Sequence, residues 1–434
     1  MKSAEANISE LSRKPMIKRP LLDTRPKGPI VRLVATPPVS LSAESARARL
    51  SPTAAFYLQA SIAVAFFAGS SAPSPLYPLY QSEWGFSPIA ITVVFGVYAL
   101  AVLSALLVAG RLSDHIGRRP VLIAATAVQA ATMIVFANAD GLAGLLLARV
   151  IQGLSVGAAV AAVGAGLLDI DKARGTVANS ILAPLGTATG AIVAGLMVQY
   201  LPAPTHLVFL VLAAVFVLQG IGVLFMEETL TPRAGALASL RPQINVPTQV
   251  RGALVMALPA LIATWALAGF YGALAPTLVK SAFGFTSSLP GGLALFALAS
   301  SAGLAVLFLR NRGARVIATF GAIALLAGLM ITVVALTYTS VALFYFGTAV
   351  AGLGFGAGFQ GAVRSVVPLA KPAERAGVLS VVFVVSYIAM GLPAVIAGSL
   401  IVAQGNILLT TKEFAGVVML LAALALFGAL KRRG

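Results

Sequence analysis

Twelve long apolar stretches, separated by short polar gaps, organise this 434-residue chain. They cover residues 55–78, 89–109, 121–137, 141–168, 177–200, 207–226, 252–276, 290–309, 316–336, 341–363, 376–402 and 414–430. Strict alternation of apolar and polar residues would predict strands with one wet face. Unbroken runs of roughly 20 residues predict helices that are apolar all round, the length that crosses about 30 Å of hydrocarbon. The least marked boundary is 337–340, where four residues separate the ninth span from the tenth. The first span ends in SAPSPLYPLY, residues 71–80, whose three prolines each remove a backbone donor and predict a break in the helix. In a membrane such a break is tolerated where the chain lines a cavity or a gate. The expected fold is an all-α integral membrane protein with twelve transmembrane helices.

Composition sharpens this picture. The chain is 59% hydrophobic and 10% charged, against about 25% charged in a soluble domain. A net charge of +17 would suggest a nucleic-acid partner if it were spread over one surface. Instead, 27 of the 30 Lys and Arg lie in the N-terminal tail, in the gaps after the even-numbered spans, and at the C-terminus. The opposite gaps hold Lys280 and Lys412, and Arg149 lies inside the fourth span. Positive residues stay in the cytoplasm during insertion, so this bias predicts that both termini are cytoplasmic and that the span count is even. No aromatic residue interleaves the charges of the tail, so nucleic acid is not an expected partner. The tail also lacks the apolar core of a signal peptide, and Glu5, Glu10, Asp23 and Glu44 set it apart from a transit peptide. It is expected to be a disordered cytoplasmic extension, with Met16 as an alternative start.

The chain has no cysteine, which excludes disulfides, thiol catalysis and Cys-ligated metals. Its two histidines, His115 and His206, fall in gaps on opposite sides of the membrane. No catalytic cluster converges, so an enzyme is not expected, nor is a metal or cofactor. A G-x-x-x-x-G-K-[ST] loop is absent, so ATP is not the implied driver.

Short words recur at nearly one offset. SEWGFS at 82–87 and SAFGFT at 281–286 are 199 residues apart, as are QGLSVGAA at 152–159 and AGLGFGAG at 351–358. AIVAG at 191–195 and AVIAG at 394–398 are 203 apart. Each pair falls in or after equivalent spans of two six-span halves, which predicts an internal duplication. The expected organisation is a tail at 1–50, a six-helix bundle at 51–229, a cytoplasmic linker at 230–250 and a second, pseudo-symmetric six-helix bundle at 251–434.

The polar block GRLSDHIGRRP, residues 110–120, follows the second span. Gly110 and Gly117 permit a tight turn. Asp114 and Arg118 can form a charge-assisted pair, and a carboxylate there can sit at a helix N-terminus. Gly110, Asp114, Gly117, Arg118 and Arg119 fit G-x-x-x-D-x-x-G-R-[RK], with His115 where Arg or Lys is usual. On these residues, and on the twelve spans, the 6 + 6 repeat and the long middle loop, the chain resembles the major facilitator superfamily of transporters. The resemblance implies that the block is a conformational switch, docking near residue 376 at the start of the eleventh span when the protein is outward-open. The bland alternative is that its arginines only fix topology. The equivalent stretch RNRGAR, residues 310–315, has no acid.

Arg149 and Gln152 are three residues apart and share a helix face. With Gly153 and Gly157 they resemble the fourth-span R-x-x-Q-G motif of the family's drug and metabolite:proton antiporters. The resemblance implies substrate or proton handling in a central cavity; the alternative is an arginine satisfied by helix carbonyls or snorkelling outward. Gly186, Gly190 and Gly195 fit part of that group's fifth-span pattern, while Ala191 stands where it has Pro and Ala194 where it has Gly. These glycines, with Gly153 and Gly157, suit close helix packing. Further cavity candidates by position are Tyr77, Trp265, Tyr271, Gln360 and Tyr387; Tyr77, its neighbour Tyr80, Trp265 and Tyr271 are equally readable as interfacial anchors, the commoner role.

No Asp or Glu lies inside any apolar span. A buried carboxylate is a common proton site, so proton coupling rests here on the resemblance. Asp169, at the inner end of the fourth span, is the nearest acid and reads best as a partner of Arg118 or Arg174. The function implied is secondary transport of a small organic solute by alternating access, efflux coupled to protons, with an uptake permease or uncoupled facilitator as the alternative. The expected setting is the bacterial inner membrane, with the lipid bilayer, a small-molecule substrate and protons as partners of a monomer.

Overall fold

The computed structural model describes residues 49–431; all but the last two residues of the expected tail, Met16 included, lie outside it. Twelve helices among the described residues are long and apolar enough to cross a membrane. They are α1 (Pro52–Trp84), α2 (Pro88–Ala109), α3 (Arg118–Ala137), α4 (Leu142–Ile170), α5 (Lys172–Tyr200), α6 (Pro204–Leu224), α7 (Thr248–Phe283), α8 (Leu289–Phe308), α9 (Ala314–Thr337), α10 (Val341–Leu369), α11 (Pro372–Gln404) and α12 (Ile407–Lys431).

Most helices overrun the apolar stretches that announce them. The seventh stretch, 252–276, becomes Thr248–Phe283, with Pro259 and Pro276 inside an unbroken helix. A helix ends where its backbone is capped, not where its hydrophobicity fades. The linker therefore runs over residues 225–247, earlier than the expected 230–250, and it carries a four-residue helix, Ala236–Ser239. The charges gained by longer helices, such as Glu83, Asp169, Lys172 and Arg251, fall in or near terminal turns, and Arg149 stays the charge at depth. The ninth and tenth spans do separate at 337–340: Thr339 takes a left-handed φ of 51°, and the Ser340 hydroxyl accepts the Leu343 N–H to start α10.

The prolines of α1 act as expected. The helix gives way at Ser71 to a 3-10 turn, Ser74–Leu76, and resumes as Tyr77–Trp84. The duplication is also visible in the backbone. Gly85 ends α1 with φ 69°, and Gly284, its counterpart in the repeat, ends α7 with φ 70°. Both sit in left-handed C-caps that glycine adopts without Cβ strain.

The helices form two six-helix bundles. In the first, α2 packs on α4, α3 on α6 and α1 on α5; in the second, α9 packs on α10, α8 on α10 and α7 on α11. The bundles meet chiefly through α5 with α8 and α2 with α11. Small residues allow the close approaches. A Cβ on Gly153 would lie 2.8 Å from the Tyr98 carbonyl of α2, one on Gly157 2.6 Å from that of Val102, and one on Gly186 2.6 Å from that of Val64 in α1. Gly190 sits against Ala68 and Ser71 of α1, and Gly195 meets Leu289 of α8 across the bundles. Leu218, Phe308, Val417 and Leu420 are exposed on the outer surface. Lipid solvates such a surface, whereas in water it would drive association.

Candidate functional site

A cavity of about 530 Å³ lies between the bundles. The helices alternate in direction, so the 110–120 loop and both described ends share one face, termed here the loop face; Gly85 and Gly284 mark the far face. Ser180 near the start of α5 and Arg364 near the end of α10 line the cavity mouth on the loop face. Ser74 and Tyr98 line its deep end. Beyond them the bundles close on each other. Thr277 Oγ1 donates to Gln81 Oε1 at 2.8 Å, and the Ser287 hydroxyl donates to Gln199 Oε1. A Cβ on Gly292 of α8 would lie 2.7 Å from the Ala191 carbonyl of α5. The structure is thus open at the loop face and sealed at the far face.

Of the seven expected cavity residues, Trp265, Gln360 and Tyr387 line the wall. Trp265 gathers three rings: Phe359 at 5.4 Å between centroids, Tyr387 at 5.3 Å and Phe355 at 6.2 Å. Its Nε1 and the Gln360 Oε1 are buried without a hydrogen-bond partner. Tyr271 is buried away from the cavity, its hydroxyl 2.8 Å from that of Thr348.

Arg149, Gln152 and Tyr77 stand one layer behind the wall, all fully buried. Arg149 Nη1 donates to the Ser70 carbonyl at 2.9 Å and to Gln152 Oε1 at 2.6 Å, and Nη2 donates to the Tyr77 hydroxyl at 2.5 Å. Gln152 Nε2 donates to the Gly69 carbonyl at 2.9 Å. The sequence explains why that acceptor is free: Pro73, four residues on, has no N–H to give it. The guanidinium carbon lies 5.0 Å from the Tyr98 ring centroid and 5.7 Å from that of Phe136. Arg149 Nε has no partner, and among the described residues no carboxylate pairs with this cation. A buried cation must be hydrogen-bonded, and the broken α1 supplies neutral acceptors, which draws Arg149 into the first bundle and out of the cavity. Tyr77 and Tyr80 are buried as well, so neither is an interfacial anchor.

The 110–120 loop is bonded within the first bundle and the linker. Arg118, its side chain 8% exposed, reaches Asp114 Oδ1 at 2.5 Å and Asp169 Oδ2 at 3.1 Å, and its Nη1 donates to Ser113 Oγ at 2.6 Å. Asp169 is thus the partner of Arg118. Arg119 Nε donates to the Val223 carbonyl at 3.2 Å, and its Nη2 to the Leu224 carbonyl, at the end of α6, where a cation suits the helix dipole. Gly117 has φ 100°, a positive value that favours glycine, whereas Gly110 has φ −58° and is required by space instead, since a Cβ there would clash with the Leu106 carbonyl. The acid at the N-terminus of α3 is Glu228 and not Asp114: its carboxylate accepts the N–H groups of Arg118 and Arg119, each at 2.9 Å. It also accepts the Thr229 and Leu230 N–H groups at 3.0 and 3.2 Å. Among the described residues, no hydrogen bond from the loop reaches α11. The expected docking on residue 376 is not made in this open-mouthed state.

Sequence reasoning missed Glu228, Tyr98, Phe355 and Phe359. Glu228 follows the sixth span as one of two adjacent acids, and nothing in its spacing distinguishes it from Glu227. The fold does. Glu228→Gln replaces an acceptor oxygen with an NH2 group facing a backbone N–H and is expected to cost about 1–3 kcal/mol. Glu227, in a pair with Arg49 that is 60% and 63% exposed, should cost at most about 1 kcal/mol on the same change. Thermal unfolding of the two variants side by side checks this, and equal losses would refute the capping role.

A sequence profile of the Major Facilitator Superfamily matches residues 60–347. Among curated proteins, the multidrug resistance protein MdtL of Klebsiella pneumoniae is 32% identical over 80 residues, 18% of this chain and 20% of that protein. The inner membrane transport protein YajR of Escherichia coli is 38% identical over 88 residues, 20% of this chain and 19% of that one. The matches span about a fifth of the length of these relatives. Among solved structures, a bacterial homologue of the human lysosomal transporter Spinster, inward-facing and occupied, superposes with a TM-score of 0.70 at 12% identity, covering 88% of this chain and 98% of the other. The nucleoside transporter NupG superposes with a TM-score of 0.64 at 15% identity, covering 87% and 99%. At these identities the superpositions speak for the fold alone.

Proposed function

Because this chain belongs to the Major Facilitator Superfamily of multi-pass membrane transporters, we propose that it is a secondary active carrier that exports a small organic solute by alternating access in exchange for protons. The observation that carries the reading is one cavity between two bundles, with its mouth on the loop face and a seal on the far face. Rocking the bundles about it exposes one site to each side in turn. The distribution of Lys and Arg supports a cytoplasmic loop face, and in this reading the state described is inward-open. In this reading Gly110, Asp114, Gly117, Arg118 and Arg119 form the switch that docks on α11 when the mouth closes, and Arg149 with Gln152 and Tyr77 tunes the cavity from behind. The setting is a bacterial inner membrane with both termini in the cytoplasm, and the protein works as a monomer without enzymatic chemistry. Export follows from the fourth-span motif and from the partial likeness to MdtL.

One observation favours the alternative of an uptake permease or uncoupled facilitator. The residues lining the cavity include no Asp or Glu, and Asp169 is committed to Arg118 at the loop face. The test is solute flux in proteoliposomes together with proton movement in everted vesicles. Export by exchange predicts that each transported solute dissipates an imposed pH gradient. A solute that is carried with no proton movement would leave the facilitator and remove the antiporter.

A further inference from the structure

The cavity has two chemically different ends, and they belong to different bundles. At mid-depth the second bundle presents Trp265, Phe355, Phe359 and Tyr387, with edge-on and tilted ring contacts around the indole. A planar ring entering such a cluster finds the edge-to-face partners that aromatic pairs prefer. At the deep end the first bundle presents Ser70, Ser74 and Tyr98. Ser74 is 1% exposed and its hydroxyl has no hydrogen-bond partner. Directly behind lies Arg149, bonded to the Ser70 carbonyl at 2.9 Å and 5.0 Å from the Tyr98 ring. Its ligands are neutral, so its full positive charge acts on the deep end through one layer of side chains, in surroundings that screen it poorly. Arg364, held by the Arg310 carbonyl at 2.6 Å, adds a second cation at the mouth, and no carboxylate offsets either along the wall.

Building on the transporter reading, we infer that the cavity takes an aromatic monocarboxylate. Its ring lies in the Trp265 cluster of the second bundle. Its carboxylate reaches the deep end, where the Ser74 hydroxyl donates to it and Arg149 attracts it from behind Tyr98. A cation of the same shape is rejected by two positive charges and meets no acid. Because each bundle grips one end of the solute, binding itself ties the two bundles together.

The test uses the purified full chain in detergent and three probes that share one ring system: 2-naphthoate, 2-naphthamide and 2-naphthylmethylammonium. Equilibrium binding of tritiated 2-naphthoate, with the others as competitors, is expected to rank carboxylate above amide above ammonium, the extremes differing by at least about tenfold. Arg149→Met should bring carboxylate and amide together, Arg149→Lys should keep them apart, and Trp265→Leu should weaken all three by a similar factor. Should Arg149→Met fail to fold, Ser74→Ala reads the same end and should weaken the carboxylate alone. Equal binding of ammonium and carboxylate, binding of none of the three, or a preference that survives both Arg149→Met and Ser74→Ala overturns the inference. Binding is read without flux, so the two proposals fail separately. A carboxylate that binds but is not moved counts against transport, and a cation that is moved counts against the solute class.

Discussion

Bridging Gln81→Cys to Thr277→Cys with an ethylene-linked bis(methanethiosulfonate) is expected to bring flux to background, and reduction of the bridge is expected to restore it. The two native side chains meet at 2.8 Å on the far face, one from the second segment of α1 and one from α7. They therefore join the two bundles at the seal that alternating access must break. A covalent tie there leaves the mouth on the loop face open and forbids the other state. A carrier held in one conformation can bind but cannot turn over. The chain has no native cysteine, so the reagent has no other thiol to modify, and each single-cysteine variant serves as its own control. A channel-like pore through the bundles would keep conducting after the bridge forms. Flux that persists in the fully bridged protein would therefore reject alternating access outright, whatever the solute.

How far the sequence reaches depends on what the membrane hides. Length and hydropathy announce twelve spans, and the recurring words announce the duplication, because both are one-dimensional properties that survive without knowing which face of a helix is buried. One polar pair at helical spacing is legible too: Arg149 and Gln152 meet as their three-residue separation on one helix requires, while Asp114 and Arg118 meet across the turn at Gly117. The pairing of Arg118 with Asp169 needs only the knowledge that both sit at the same membrane surface. What stays hidden is which way each helix faces. In water, a polar stripe betrays the outer face of a helix. In lipid, both the outside and the core are apolar, and the pattern carries no such mark. Phe355 and Phe359 line the cavity while Phe308 and Phe346 face outward, and no local signal separates them. Arg149 fails differently. Its sequence position says that it lies at depth, but the Ser70 carbonyl, 79 residues away at the break in α1, decides that it sits behind the cavity wall.

Gly292→Val should move the resting population away from the state that is open at the loop face. A Cβ at this position would lie 2.7 Å from the Ala191 carbonyl, 3.4 Å from Pro75 Cγ and 3.5 Å from Gly195 Cα. Those atoms belong to α5 and to the break in α1, and the first is backbone that cannot rotate aside. The branched side chain therefore penalises the state in which α8 closes on α5 and spares the state in which their far ends separate. Overpacking of this kind costs about 1–3 kcal/mol, and a penalty of that size applied to one state alone shifts the ratio of the two by roughly 5- to 150-fold. Maleimide labelling of two single-cysteine backgrounds reads the shift. Ser180→Cys, exposed at the mouth, should react more slowly once Gly292→Val is added, and Ser74→Cys, buried beneath the far-face seal, should react faster. Gly416→Val is the matched control, since no atom lies within 4 Å of its added Cβ, and it should change neither rate. Stability and population are separable here. A variant that unfolds exposes both cysteines, whereas a variant that rocks the bundles exposes one as it hides the other. Opposite changes at the two positions therefore bind the seal at Gly292 to the mouth at Ser180 as two ends of one motion, and parallel changes would break that link.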